Sequence, residues 1–215
     1  ASIIIWTTTP WTIPVNKALA FNSNIEYAVL EIDQLEHFKN KRIVVAKNLI
    51  ETITKECEIK NYKEVKTFKG SEFVGTICKH PFFNTDYNYD VPMLDGQFVN
   101  LEQGTGIVHC APSHGADDFN LCMKNNIPSL YTVDNAGLYT KEIPNFTGTH
   151  IFKADPIIIE KLKEEKKLLM NNKLTHSYPH SWRSKAPLIY RATPQWFISM
   201  QKNNLRDKAV KSINE

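Results

Sequence analysis

Hydrophobic positions follow two different periods along the chain. Through residue 110 they come as short β-branched or alternating runs, and the expected strands cover residues 2–7, 27–32, 42–46, 65–68, 73–78, 97–101 and 105–110. In the second of these, Tyr27, Val29 and Glu31 face away from Ala28, Leu30 and Ile32. Pro10, Pro14, Gly70, Gly75, Pro81, Pro92, Gly96, Gly104 and Gly106 punctuate the runs. Helical spacing predicts helices over residues 48–57, 116–125 and 155–171. In the last, Asp155 reads as the N-cap and Pro156 as the first helical residue, with Ile158, Leu162 and Leu169 on one face. From Thr175 the character changes to aromatic, basic and Pro-punctuated stretches, and residues 202–215 read as a polar helical tail. The pattern therefore divides the chain into a compact part, residues 1–170, and a connector, residues 171–215.

At 215 residues, the chain has room for one large domain, or one domain with an appendage. A hydrophobic fraction of 42% and a charged fraction of 23% are ordinary for a globular protein. No run reaches the ~18–20 apolar residues of a membrane span, and the apolar start lacks the basic leader of a signal peptide. It reads as a buried strand beginning abruptly, as in a piece cut from a longer protein. The net charge of +3 permits contact with a polyanion without demanding it. Cys57, Cys78, Cys110 and Cys122 form no Cys-x-x-Cys pair, so reduced thiols are expected rather than a disulfide framework or a structural zinc site.

Three segments could carry chemistry. Thr7, Thr8 and Thr9 place three hydroxyls at a strand end before Pro10, although Thr is also an ordinary strand residue. The stretch from Gly104 to Pro112 combines glycines that allow close backbone approach with His109, which a buried core position explains equally well. Asp117 and Asp118 open the expected second helix, either as surface acids compensating its dipole or as a carboxylate placed to hold a cation. The spacing of His109, Cys110, His114 and Asp117 matches no familiar zinc pattern. Cys110 has no neighbour to lower its pKa, which argues against a Cys110–His114 nucleophilic pair.

Taken together, the motifs go further than any one of them. Trp6-Thr7-Thr8-Thr9-Pro10-Trp11-Thr12 resembles the threonine-rich motif of the editing (connective peptide 1) domain of bacterial-type isoleucyl-tRNA synthetases. The stretch from Gly104 to Phe119 resembles the second motif of that domain. The stretches His176 to Arg183 and Arg191 to Phe197 resemble the segment leading back to the catalytic domain. Valyl and leucyl enzymes usually carry Arg where this chain has Thr9, and lack a histidine at the position of His109.

The resemblance implies an α/β (α+β) fold: a β-barrel-centred editing domain surrounded by helices and inserted in a Rossmann-type class I synthetase. It implies post-transfer editing, the hydrolysis of mischarged valyl-tRNA(Ile), and with it hydrolysis of valyl-adenylate. By motif match, Asp118 holds the α-ammonium of valine. Thr7, Thr8 and Thr9 line the pocket and position the terminal adenosine and the attacking water. His109 walls the side-chain pocket, and Trp6, Trp11 and Asn16 shape it or hold the adenosine end. Editing of this kind needs no cofactor, and ATP and Mg belong to the catalytic domain. Relatives carry zinc-binding cysteines where this chain has Ser181 and Ser184, so zinc is not expected. The implied partners are tRNA(Ile) carrying misattached valine and the rest of the synthetase in cis. A cytoplasmic monomer is expected. The alternative is a non-catalytic tRNA-binding module of the same fold.

Overall fold

The computed structural model describes residues 1–83, 85–175 and 177–214. His176, the first residue of one connector motif, lies outside the described residues. Two four-stranded sheets form the body. In the first, β1 (Ser2–Ile3) runs parallel to β4 (Arg42–Ala46), which pairs antiparallel with β3 (Glu26–Ile32), itself antiparallel to β5 (Tyr62–Lys69). The register of β3 with β5 shifts between Val29 and Leu30, which pair with Lys66 and Glu64, so Val65 bulges out and is exposed. In the second sheet, β6 (Ile77–Lys79) pairs antiparallel with β7 (Asp90–Asp95), which runs parallel to β2 (Ala18–Phe21). On its other side β2 is antiparallel to β8 (Val108–Cys110). The mixed α/β expectation holds, and the strand ladders of the two sheets remain separate among the described residues.

The main core lies between the sheets, where Tyr27, Leu30, Ile43 and Val45 meet Phe21, Val91 and Met93. Every residue of β2 is buried, as expected of a strand covered on both faces. Helix α1 (Ile50–Glu56) buries Ile50 and Ile53 against this core. Helix α2 (Ala116–Lys124) sets Leu121 and Cys122 against Ala18, Ala20 and Cys110 of the second sheet. Helix α3 (Ile151–Glu164) buries Ile151, Ala154, Ile158 and Leu162 in a separate cluster with Trp11, Ile13 and Val15 of the 3-10 turn Pro10–Val15.

Several elements differ from the sequence reading. Helix α3 starts at Ile151, four residues before Asp155, and its N-cap is His150, whose Nδ1 accepts from the Phe152 amide at 3.2 Å. Asp155 is freed from capping, and its carboxylate accepts the Trp11 amide at 2.8 Å. Pro156 is tolerated inside the helix, where only one main-chain bond is forgone. The run 2–7 is a strand only over Ser2–Ile3 and then leaves the sheet. Residues 97–101 form turns and bends. The strand lies just before them, in β7, despite Pro92, which faces Ile77 before the ladder to β2 begins at Met93.

No described residue beyond Leu162 is buried. The later chain carries α4 (Leu205–Asn214) and exposes Trp182, Trp196 and Phe197.

Candidate active site

A cleft of about 330 Å³ opens where the chain leaving β1 passes the loop 104–106 and the entry to α2. Its lining includes Trp6, Thr7, Thr8, Thr9, His109 and Asp118. Sequence motifs about a hundred residues apart thus converge on one volume.

Thr7 turns the chain with its own side chain. Its Oγ1 accepts the Thr9 amide at 3.0 Å and lies 3.2 Å from Thr9 Oγ1. The Thr8 hydroxyl is exposed and makes no hydrogen bond among the described residues. The opposite wall is the loop Gly104-Thr105-Gly106, with both glycines at positive φ. A Cβ on Gly106 would stand 2.4 Å from Ala46 Cβ, so only glycine fits. Thr105 Oγ1 donates to Ile4 O at 2.6 Å, the Ala46 amide donates to Thr105 O at 2.8 Å, and Tyr27 Oη donates to Gly106 O at 2.8 Å. The cleft wall is thereby tied to the first sheet.

His109 sits in β8, opposite Leu19 of β2, so its backbone is fixed by the ladder. The ring is held at both nitrogens. Thr12 Oγ1 donates to Thr9 O at 2.9 Å, so its proton is committed. His109 Nε2 therefore carries hydrogen and donates to Thr12 Oγ1 at 2.9 Å, while Nδ1 accepts from Asn16 Nδ2 at 3.3 Å. Burial, with His114 nearby, pushes its pKa down to about 4, so the ring is neutral at pH 7. A neutral ring with both nitrogens engaged is a wall, not a free base.

Asp118 lies in the first turn of α2 and folds back, its Oδ2 accepting the Ala111 amide at 2.9 Å. Burial raises its pKa, partly countered by that amide. Among the described residues no salt bridge reaches Asp118, and a desolvated carboxylate in that state is relieved by binding a cation.

Two of the sequence candidates lie behind the lining. Trp11 packs its ring edge-on against His114, with centroids 4.8 Å apart. Asn16 is buried behind His109, and its Oδ1 is a buried acceptor without a hydrogen-bond partner among the described residues. Sequence reasoning gave no pocket role to Thr12, or to His114, which it weighed only as a metal ligand or a partner of Cys110, and it missed Phe98, Asn100 and Gln103 on the rim. Phe98 and Asn100 come from the stretch that the sequence reading took for a strand, and Gln103 follows it. Cys110 and Cys122 pack beside the cleft with buried thiols. Desolvation pushes Cys110 far up and Cys122 to about 11, so neither is a thiolate near neutrality.

Among the described residues, no group of three His, Cys, Asp or Glu side chains is placed to hold a metal. Ser181 Oγ accepts the Ser184 amide at 3.2 Å, and Ser184 Oγ accepts the Ala186 amide at 3.3 Å. Hydroxyls closing a turn in this way do not fit a zinc centre, which takes thiolate or imidazole.

Comparison with known proteins gives the family. Isoleucine--tRNA ligase of Pelagibacter ubique (strain HTCC1062) is 64% identical over 99% of this chain, which spans 24% of that relative. Isoleucine--tRNA ligase of Francisella tularensis subsp. tularensis (strain WY96-3418) is 45% identical over the whole chain and 22% of its own length. The chain thus spans about a quarter of the curated relatives it matches. The cytosolic leucyl-tRNA synthetase editing domain of P. falciparum shares the fold, with a TM-score of 0.58 at 14% identity over 75% of each chain. Residues 22–170 match the family model described as "Leucyl-tRNA synthetase, editing domain", a span that takes in both His109 and Asp118. With well over half its length inside that match, the chain belongs to the synthetase editing-domain family.

Proposed function

We propose that this chain is the editing domain of an isoleucyl-tRNA synthetase and hydrolyses valine misattached to tRNA(Ile). One observation carries the reading: Thr7–Thr9, a neutral immobilised His109 and an Asp118 carboxylate in no salt bridge among the described residues line a single small cleft. Asp118 takes the α-ammonium of the aminoacyl group, which relieves the cost of its burial. The threonine hydroxyls receive the terminal adenosine and orient a water toward the ester carbonyl. Water is the nucleophile, because the Cys110 and Cys122 thiols are buried and protonated and both cleft imidazoles, His109 and His114, have their ring nitrogens engaged. His109 closes the side-chain end of the cleft. Trp6 flanks the opening, and Trp11 and Asn16 hold the wall from behind. The hydrolysis needs neither zinc nor ATP.

Discrimination by size suits this substrate. Valine and isoleucine differ by one methylene, for which a single pocket discriminates by only ~1–3 kcal/mol, a limit for which isoleucyl-tRNA synthetases are themselves the standard case. A second pocket that excludes the larger, correct residue adds the missing selectivity. Misformed valyl-adenylate presents the same amine and side chain and is a second substrate. We further propose that residues 1–170 form the working unit and 171–215 the connector to the rest of a cytoplasmic, monomeric synthetase. The end of the family match at residue 170 and the exposure of the later chain support this division.

The test is deacylation of valyl- and isoleucyl-tRNA(Ile) by this chain. Hydrolysis of the valyl ester with sparing of the isoleucyl ester is expected. Equal loss of both removes the size filter. Binding of tRNA without loss of either identifies a non-catalytic module.

A further inference from the structure

His114 lines the cleft but commits both ring nitrogens elsewhere. Nδ1 donates to the Tyr190 carbonyl at 2.8 Å, and Nε2 accepts from the Thr132 hydroxyl at 2.8 Å. A carbonyl only accepts, so the proton sits on Nδ1 and the Thr132 hydroxyl must supply the other bond. Further bonds hold residues 190–192, one to the same loop and two to residues 133–135. The Ala192 amide donates to Ser113 O at 2.7 Å. Arg191 donates to Val133 O at 3.2 Å and to Asn135 Oδ1 at 2.6 Å. Residues 190–192 are thus strapped across the outside of the loop 111–115, and the chain beyond them is exposed through residue 214.

That loop joins β8 to α2, and its inner side belongs to the cleft. The Asp118 carboxylate reaches back to the Ala111 amide at the start of the loop. A displacement of the loop therefore displaces the carboxylate. The Trp11 ring, edge-on to His114, also follows any movement of the imidazole.

We propose that His114 is a positioning residue for this cleft: it latches residues 190–192 onto the loop 111–115, and the cleft has its working shape only with the latch closed. The proposal rests on the editing reading above and adds a dependence of hydrolysis on a segment outside the cleft. The returning chain then reports its own docking to the site through a single imidazole.

The experiment pairs amide hydrogen exchange with deacylation kinetics of valyl-tRNA(Ile) in three variants of this chain. His114→Ala opens the latch from the loop side. Ala192→Pro deletes the donor to Ser113 O and opens it from the strap side without touching a cleft residue. His114→Asn carries its amide nitrogen where Nδ1 stood and keeps the bond to Tyr190. Exchange at the Ala192 amide, which donates to Ser113 O, should rise at least tenfold in His114→Ala. In Ala192→Pro, where residue 192 has no amide, it should rise as much at the His114 amide, which donates to Ala111 O at 2.8 Å within the loop. kcat should fall about tenfold in both, with KM within about twofold, and His114→Asn should restore both readouts. Unchanged exchange in His114→Ala means there is no latch. An opened latch with unchanged kcat in Ala192→Pro means that the strap does not act on the cleft, and overturns the proposal. If the unaltered chain hydrolyses no aminoacyl ester, the editing reading fails and the coupling with it, whatever exchange shows of the latch. The two failures are therefore distinct.

Discussion

Gly115 leaves empty the space that the Asp118 carboxylate fills: a Cβ at Gly115 would stand 3.0 Å from Asp118 Cγ and 3.0 Å from its Oδ2. Gly115 has φ −145°, which any residue adopts, so the requirement is for room and not for backbone freedom. Gly115→Ala should push the carboxylate off the Ala111 amide while leaving α2 in place. Valyl-tRNA(Ile) deacylation is expected to drop about tenfold, with stability lowered by no more than the ~1.5–3 kcal/mol of one hydrogen bond to a charged group. Full activity in the alanine variant would show that Asp118 need not sit where it does.

Asp118→Asn tests the charge itself. The amide oxygen can still accept from Ala111, so the fold should survive. The charge-assisted bond to the substrate ammonium is lost, worth ~1.5–3 kcal/mol, or roughly one to two orders of magnitude in deacylation. Melting by circular dichroism alongside the kinetics separates the two effects. A folded variant with normal rates would reduce Asp118 to a helix-start acid.

His109→Ala should change selectivity more than rate. The vacated volume admits the extra methylene of isoleucine, whose burial is worth ~0.8 kcal/mol. Isoleucyl-tRNA(Ile) should then be hydrolysed, with the valyl ester still cleaved more slowly than by the unaltered chain. Parallel loss of both activities would place His109 in the chemistry.

Asn16→Ala offers a milder version. It removes the bond to His109 Nδ1 and, with it, a buried acceptor that already lacks a partner among the described residues. Its stability cost should therefore fall at or below the ~1–3 kcal/mol usual for breaking a buried polar contact. The isoleucyl ester should be spared less strictly than by the unaltered chain. Strict sparing in a folded variant would show that Thr12 alone suffices to hold the ring.

Stability should fall on mild acidification. Burial is the leading cause that lowers His80 to about 3 and His109 and His114 to about 4. Unfolded histidines titrate near 6.5, so between about pH 6.5 and 4 the unfolded chain binds more protons. The contribution of these neutral rings is complete above 6.5 and is lost as pH falls toward 4, at about 1.4 kcal/mol for each unit of depression. Asp118 and Asp155, both raised by burial, act in the opposite sense but just above the ordinary carboxylate range. Urea midpoints measured from pH 7.5 to 4.5 should decline through this window. A flat profile would mean the rings are hydrated.

The sequence disclosed those parts of the fold whose local signals and tertiary needs agree. β4 was legible as a β-branched run, and α2 as an acidic start after Gly115. Where two signals compete, the reading went astray. Asp155-Pro156 looks like a helix start by composition, but the tertiary need for a partner to the Trp11 amide put Asp155 inside α3. Pro92 hid β7, because its harmless place beside Ile77 depends on a register that no local window contains. Thr7–Thr9, His109 and Asp118 were legible through motifs. Phe98, Asn100 and Gln103 were not, since they reach the rim only through the packing of a turn.

The buried, protonated state of Cys110 and Cys122 bears on how such a pocket could be blocked. Acylating or thiol-directed reagents find no activated group in the cleft to capture, so covalent trapping on the protein is a poor strategy here. A blocker must instead gain residence time by reversible fit: an amine for Asp118, a branched side chain no longer than valine's, and a polar end for the threonine rim.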